Sequence, residues 1–258
     1  MTTPAVEVRG LEKSYGAVQA LRGVSFQLHA GEVVGLVGDN GAGKTTLVKC
    51  IAGVHRPDAG EIHVDGELRR GLDADSARTL GIETVHQNLS LVDTLDVAQN
   101  FFLNRELVYG NWAARLLSWT NRRAMYRDTR KILSGFGLDV SPRRPVSALS
   151  GGQRQMIAVA RAIHWGRHIV ILDEPAAALG VRQSMQVLHF VRSLADRGIA
   201  VLFISHNMQH VLRATTRIVV LRHGEKVGDV PTAGTDAREI VTLITGSDLV
   251  VEGQDLAV

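Results

Sequence analysis

The stretch GDNGAGKTT has the residue types needed to hold a chain of phosphates. It matches the pattern G-x-x-x-x-G-K-[ST] and lies between an apolar run and a helical pattern, the context that this motif requires. Glycines let backbone N–H groups fold around phosphate oxygens, and the following helix directs its positive end at them. Lys44 supplies a cation for the β- and γ-phosphates, and the Thr45 hydroxyl is placed to ligate Mg²⁺. The predicted nucleotide-binding residues are Gly38, Asp39, Asn40, Gly41, Ala42, Gly43, Lys44, Thr45 and Thr46.

Two adjacent carboxylates, Asp173 and Glu174, end the apolar run IVIL (Ile169 to Leu172). Ligands collect at the carboxyl ends of parallel strands, so we expect Asp173 to bind Mg²⁺ from a strand beside the one that feeds the phosphate loop. Because successive side chains of a strand point opposite ways, Glu174 is expected to polarise a water in line with the γ-phosphate. The alternative interpretation is an exposed acidic turn, which is common after a strand.

The elements that must position these groups are short apolar runs between glycine-rich breaks. VVGLV, IVIL, VLFI and RIVVL are apolar throughout, which is typical of parallel strands covered by helices on both faces. Helical patterns lie between them, with apolar faces near residues 47–52, 156–163 and 185–194. This alternation predicts an α/β fold with a mostly parallel sheet around the phosphate loop.

Two regions depart from this pattern. Residues up to about 30, and again about 61–66, are predicted to form short antiparallel strands, and residues 95–145 carry helical patterns without a buried strand. We therefore predict one domain over 1–258. Residues 1–94 and 146–258 would form its nucleotide-binding core with the antiparallel β part, and 95–145 would form a helical subdomain.

Composition excludes several classes of protein. The 258 residues carry a formal net charge of only +3 without a long basic block, which argues against a nucleic-acid partner. The single cysteine, Cys50, cannot pair within the chain and fits a reducing compartment. No secretory signal and no apolar run approaching about 18 residues is visible, so work at a membrane would need another chain to bring this one there.

Five motifs in order across almost the whole length make the chain resemble the ATP-binding cassette (ABC) family. They are KSYGAVQAL, the phosphate loop, LSGGQRQ, HIVILDEP and FISHN, with a sixth match in TVHQNLS. The resemblance implies a P-loop ATPase fold, Mg²⁺-dependent ATP hydrolysis and a dimer of cassettes that closes around two ATP molecules. A repair cassette would carry long coiled-coil or zinc insertions, and a small-molecule kinase has no reason to hold LSGGQ.

The resemblance also assigns roles to individual residues. Tyr15 would stack on adenine, and His206 would contact the γ-phosphate. Gln87 would act in catalysis and as a Mg²⁺ ligand. The signature residues Ser150, Gly151, Gly152 and Gln153 would bind the γ-phosphate held by the partner subunit. Each has a plainer alternative: Ser150 is also a good helix N-cap, and Tyr15 could belong to the core.

Two positions depart from the family pattern. Ala176 stands where the family usually has Thr or Ser, and Gly180 stands where it usually has an Asp at the dimer interface. The run AALGV is similar to the version in bacterial importers of simple sugars, so we expect function to be kept with Glu174 in place.

The segment NLSLVDTLDVAQNFFLNREL is similar to the ATPases of monosaccharide importers, the ribose, xylose and fructose group. That similarity implies a homodimer or a dimer with another cassette, membrane permease subunits, and indirectly a periplasmic or extracellular sugar-binding protein. The chain would lie at the cytoplasmic face of the plasma membrane through the permease. The alternatives are import of another solute, such as a branched-chain amino acid, or a non-transport cassette.

An apolar cluster with flanking arginines lies in the helical region. It consists of Tyr109, Trp112, Leu116, Leu117 and Trp119, beside Arg115, Arg122 and Arg123. It could dock a membrane subunit or form the core of the small subdomain, and the sequence favours neither.

Overall fold

The structure, a computed structural model, describes residues 3–85, 90–109 and 119–246. Its strands are β1 (Val6–Tyr15), β2 (Val18–Leu28), β3 (Val33–Val37), β4 (Ala59–Val64), β5 (Glu67–Leu68), β6 (Ile82–Val85), β7 (Ile169–Asp173), β8 (Ala200–Ile204), β9 (Arg217–Arg222) and β10 (Glu225–Pro231). Its helices are α1 (Lys44–Ile51), α2 (Ala74–Thr79), α3 (Val97–Phe101), α4 (Arg122–Gly135), α5 (Gly151–Trp165), α6 (Val181–Asp196), α7 (Met208–Ala214) and α8 (Ala237–Thr245), with a 3₁₀ turn at Val146–Ala148.

The central sheet has six strands in the order β10-β9-β3-β8-β7-β6. All pairings are parallel except that of the hairpin β9–β10. Strands β3, β7 and β8 are buried at every residue, which confirms the prediction from their uninterrupted apolar sequences. Full burial of a side chain such as Phe203 contributes about 1.5–3 kcal/mol to folding.

The alternation of side chains along the buried strands divides the core into two layers. In β7, Val170 and Leu172 pack in one layer, whereas Ile169 and Ile171 pack in the other. The second layer joins the central sheet to a four-stranded antiparallel sheet with the order β2-β1-β4-β5. The predicted antiparallel part is therefore confirmed. Helix α1 packs in the same core layer as the two sheets.

The strand order corrects one expectation. Strand β7, which ends at Asp173, does not lie beside β3, because β8 hydrogen-bonds to both of them. All three strands are apolar throughout, so their sequences contain no pattern that could distinguish an inner neighbour from an outer one. The intervening position of β8 brings His206, two residues past its end, into contact with Glu174.

Helices α3 and α4 occupy the region predicted to be helical, and its described residues contain no strand beyond two isolated bridges, Asp96 with Pro145 and Val108 with Thr120. The bounds of a separate helical subdomain, 95–145, stay a prediction. Among the described helices none has both the length and the apolar character to cross a bilayer.

Candidate functional site

The phosphate loop connects β3 to α1 and has room only for glycine at its two ends. Gly38 and Gly43 have φ values of +149° and +102°. A Cβ on Gly38 would come within 2.2 Å of the Leu221 carbonyl, and one on Gly43 within 2.5 Å of the Ala20 carbonyl. The loop is thus pressed against its neighbouring segments on one side, and within it the Ala42 N–H donates to the Asp39 carbonyl at 3.1 Å.

Lys44, the first residue of α1, folds back over the loop. Its ammonium donates hydrogen bonds to the carbonyls of Gly38 at 2.7 Å and Asp39 at 2.9 Å. Burial lowers the pKa of the Lys44 ammonium, while the carboxylates of Glu174 and Asp173 act in the opposite direction. Because an ammonium has three donors, phosphate oxygens can take over these contacts without leaving it unpaired.

A cleft of about 450 Å³ extends from the loop along the antiparallel sheet. Tyr15 lies at its wall with 44% of its surface exposed, and its ring meets His55 edge-on at 5.7 Å between ring centres. An exposed ring at this place is suited to stacking on a flat base. Other lining residues that the sequence did not single out are Val18, Gln19, Ala20, Arg22 and His223. His223 lies about 180 residues from the loop in the chain, so no local pattern could have placed it there.

Asp173 ends β7 with only 7% of its surface exposed. Burial raises the pKa of its carboxyl group, and the adjacent Glu174 charge adds to this, whereas Lys44 acts against it. A buried carboxylate with a raised pKa is a group that gains from a nearby cation.

The donor set fits Mg²⁺. The described residues contain no group of three or more His, Cys, Asp or Glu that could hold a metal by themselves. Mg²⁺ commonly uses one or two carboxylates, with phosphate oxygens and waters completing its octahedron. Asp173, together with the hydroxyl of Thr45 in the first turn of α1, supplies that kind of partial site.

Glu174 has a left-handed backbone, with φ +51°. Its carboxylate accepts hydrogen bonds from the backbone N–H of His206 at 2.8 Å and from the Ser205 hydroxyl at 3.4 Å, and it lies 2.8 Å from His206 Nδ1. The alternation argument for its direction was wrong, because β7 ends at Asp173 and the turn, not the pleat, aims the Glu174 side chain. The exposed imidazole of His206 and the carboxylate together form a polar pair at the strand ends.

Ser205 and Gln155 are contacts of Glu174 that the sequence did not reveal. The buried Ser205 precedes His206, and Gln155 donates from helix α5 to the Glu174 carbonyl at 3.1 Å. The burial of Gln155, the fifth residue of α5, could not be predicted from the sequence, because glutamines in helices are usually exposed.

The signature residues form the N-terminus of α5. Ser150 is its N-cap, and a capping box joins its hydroxyl to the Gln153 N–H at 3.2 Å and the Gln153 amide oxygen to the Ser150 N–H at 3.1 Å. The exposed Gly151 and the half-buried Gly152 provide first-turn N–H groups without intrahelical partners. The N-cap alternative is therefore correct, and it is compatible with an anion site at the same turn.

Two sets of predicted residues lie outside the described part of the chain. Gln87 is one, and Trp112, Arg115, Leu116 and Leu117 of the apolar cluster are the other. Of that cluster, Tyr109 and Trp119 are described, with 44% and 66% of their surfaces exposed. Their backbones meet in a hydrogen bond of 3.1 Å.

Comparison of folds defines the class. A nucleotide-free ATP-binding cassette from an ABC transporter superposes with a TM-score of 0.78 at 23% identity, covering 96% of this chain and 98% of that one. A dimeric cassette in a post-hydrolysis state, bound to ADP and Pi, has a TM-score of 0.77 at 24% identity, covering 89% and 100%. The fold is that of an ATP-binding cassette, as predicted.

The chain belongs to the ABC transporter family, whose family model matches residues 21–177. It is an ATP-binding and ATP-hydrolysing cassette, which confirms the prediction made from its motifs. The fructose import ATP-binding protein FrcA of Rhizobium meliloti is 41% identical over 250 residues, which cover 95% of each chain. The xylose/arabinose import ATP-binding protein XylG of Sulfolobus acidocaldarius is 39% identical, over 93% of each chain.

A third relative is longer. The ribose import ATP-binding protein RbsA 1 of Rubrobacter xylanophilus is 41% identical over 247 residues, 95% of this chain but 48% of that protein. The chain therefore spans about half the length of its ribose-type relatives and nearly all of its fructose-type relative.

Proposed function

We propose that this chain is the ATPase subunit of an importer for a simple sugar. The observation that most supports the ATPase activity is that the phosphate loop, the buried Asp173 and the Glu174–His206 pair all lie at the carboxyl ends of strands β3, β7 and β8. The similarity to sugar import ATP-binding proteins over almost the whole chain supports the substrate class.

In the proposed reaction, Lys44 turns from the loop carbonyls to the β- and γ-phosphates of ATP, and Tyr15 stacks on the base. Thr45 and Asp173 would hold Mg²⁺, which would neutralise charge on the phosphates. Gln87, outside the described residues, is proposed as a further ligand and catalytic group.

Glu174 is proposed to polarise the attacking water. Its carboxylate already has hydrogen-bond partners that fix its direction, and 14% of its side chain remains exposed. His206, with 77% of its side chain exposed, can reach the γ-phosphate while its Nδ1 stays on Glu174. Hydrolysis would therefore depend on two side chains held by adjacent strands β7 and β8.

A second cassette, identical or different, is proposed to complete each site. Ser150, Gly151, Gly152 and Gln153 would meet the γ-phosphate bound by that partner. The dimer would sit on a separate membrane permease at the cytoplasmic face, supplied by a sugar-binding protein on the other side.

The test is reconstitution in proteoliposomes with the permease and the sugar-binding protein encoded by genes next to that of this chain. We expect ribose, xylose or fructose to raise the ATPase rate, and Lys44→Ala to abolish the stimulated rate. Stimulation by leucine with no response to any monosaccharide would replace the sugar by an amino acid. Absence of any response to permease would contradict the transport assignment.

A further inference from the structure

The backbone of Glu174 is held in a conformation that non-glycine residues rarely adopt. Its φ of +51° lies in the left-handed region, and such residues persist only where their surroundings hold them. The backbone N–H of Glu174 is fixed by the Ile204 carbonyl at 3.0 Å. The orientation of the following peptide must be fixed by other contacts.

That following peptide, Glu174–Pro175, can form hydrogen bonds only through its carbonyl, because Pro175 has no N–H. The carbonyl accepts from the Ala177 N–H at 3.2 Å and from Gln155 Nε2 at 3.1 Å. Ala177 belongs to the same turn and moves with it. Gln155 is therefore the contact that ties this peptide to another element of the protein.

Gln155 reaches Glu174 from α5, the helix whose N-cap is Ser150. The glutamine is 5% exposed, so water does not readily replace its amide if it withdraws. A displacement of the α5 N-terminus would change the pull on the Glu174 carbonyl and hence the direction of its side chain. Gly180, where a side chain could have linked the subunits, has none.

We propose that Gln155 is a positioning residue that couples the signature helix of a subunit to the catalytic carboxylate of the same subunit. This inference rests on the proposed function, in which Ser150–Gly152 engages the nucleotide of the second cassette. Engagement at one site would then set the geometry of Glu174 at the other. The two ATP sites would communicate within each chain through one hydrogen bond.

The test compares Gln155→Leu with Met156→Leu, the next buried residue on the same helix. For Gln155→Leu we expect the Kd for ATP–Mg²⁺ to change by less than about twofold and kcat to fall about tenfold or more, since small misplacement of a catalytic group is costly. The Hill coefficient for ATP should fall toward 1. Met156→Leu should leave all three nearly unchanged. If Gln155→Leu folds poorly in thermal melts, Gln155→Met replaces it.

A double-mutant cycle separates positioning from general damage. In the Glu174→Gln background, Gln155→Leu should not reduce the residual single-turnover rate further, because its target is already disabled. An equal further reduction, or an unchanged kcat and Hill coefficient in the single variant, would overturn the inference. Failure of the proposed function would show differently, as normal turnover by Glu174→Gln alone.

Discussion

Glu174 Oε1 lies 2.8 Å from both the backbone nitrogen and the Nδ1 atom of His206. A single carboxylate oxygen is thus held by two groups of the neighbouring strand end, while the imidazole remains largely exposed. The contact links the residue proposed to polarise water to the residue proposed to sense the γ-phosphate. Loss or gain of that phosphate would therefore change the contact between His206 and the Glu174 carboxylate directly.

Replacing Lys44 with alanine should remove most of the affinity for ATP–Mg²⁺. Truncating a charge-assisted contact costs about 2–5 kcal/mol where the contact is buried, and Lys44 is half-buried, so we expect the Kd to rise by at least about tenfold. Isothermal titration calorimetry measures this directly. Lys131→Ala, an exposed lysine of α4, is the control and should bind normally. Equal affinities of the two variants would contradict the assignment of the loop.

Asp173→Asn should stabilise the ligand-free protein at neutral pH while weakening ATP–Mg²⁺ binding. Burial raises the pKa of Asp173 above its ordinary 3.8, so the unfolded chain ionises first as pH rises and the folded state loses stability over that interval. This loss of stability is complete above the raised pKa. Asparagine does not ionise, so the Asp173→Asn variant does not suffer the loss. The Tm difference should therefore be positive at pH 7 and shrink as pH approaches 3.8.

Thermal melts in the presence of a chelator, across a pH series, measure that difference. Asp139→Asn, an exposed aspartate after α4, serves as the control and should show little change at either pH. A lower Tm for Asp173→Asn than for the native protein at pH 7 would mean that the ionised, buried carboxylate does not destabilise the folded protein.

Gly180→Asp should leave the monomer intact and weaken ATP-driven dimerisation. Gly180 is the N-cap of α6, and a Cβ there meets nothing within 4 Å. Aspartate is a good N-cap, so the Tm should stay equal or rise slightly. In a partly desolvated interface, however, a new charge without a partner costs several kcal/mol.

Gly180→Asn is the matched control, since it caps the helix with the same shape and no charge. Light scattering with ATP in a hydrolysis-deficient background should show dimer for asparagine and less dimer for aspartate. The contrary result, measured with Glu174 intact, is that Gly180→Asp has a higher maximal ATPase rate and a steeper dependence of that rate on ATP concentration than the native protein. It would mean that the native cassette is partly disabled.

The sequence was sufficient to predict elements that depend on local patterns. Uninterrupted apolar runs predicted β3, β7 and β8, because a strand that is buried on both faces needs an apolar residue at nearly every position. The spacing of the glycines predicted the phosphate loop. The order of those strands was not predictable, since identical apolar patterns can exchange places in a sheet. The contact of His206 with Glu174, 32 residues apart, depends on β8 lying beside β7 and was not visible in the sequence.

Glu174→Gln tests the central claim most directly. The change keeps the shape of the side chain and removes the charge that polarises water, so the ATPase rate should fall about 10²- to 10⁴-fold while ATP binding persists. Light scattering with ATP–Mg²⁺ should then show a species of twice the monomer mass of 28.0 kDa. A variant that hydrolyses ATP at the native rate, or that stays monomeric with ATP bound, would contradict the account.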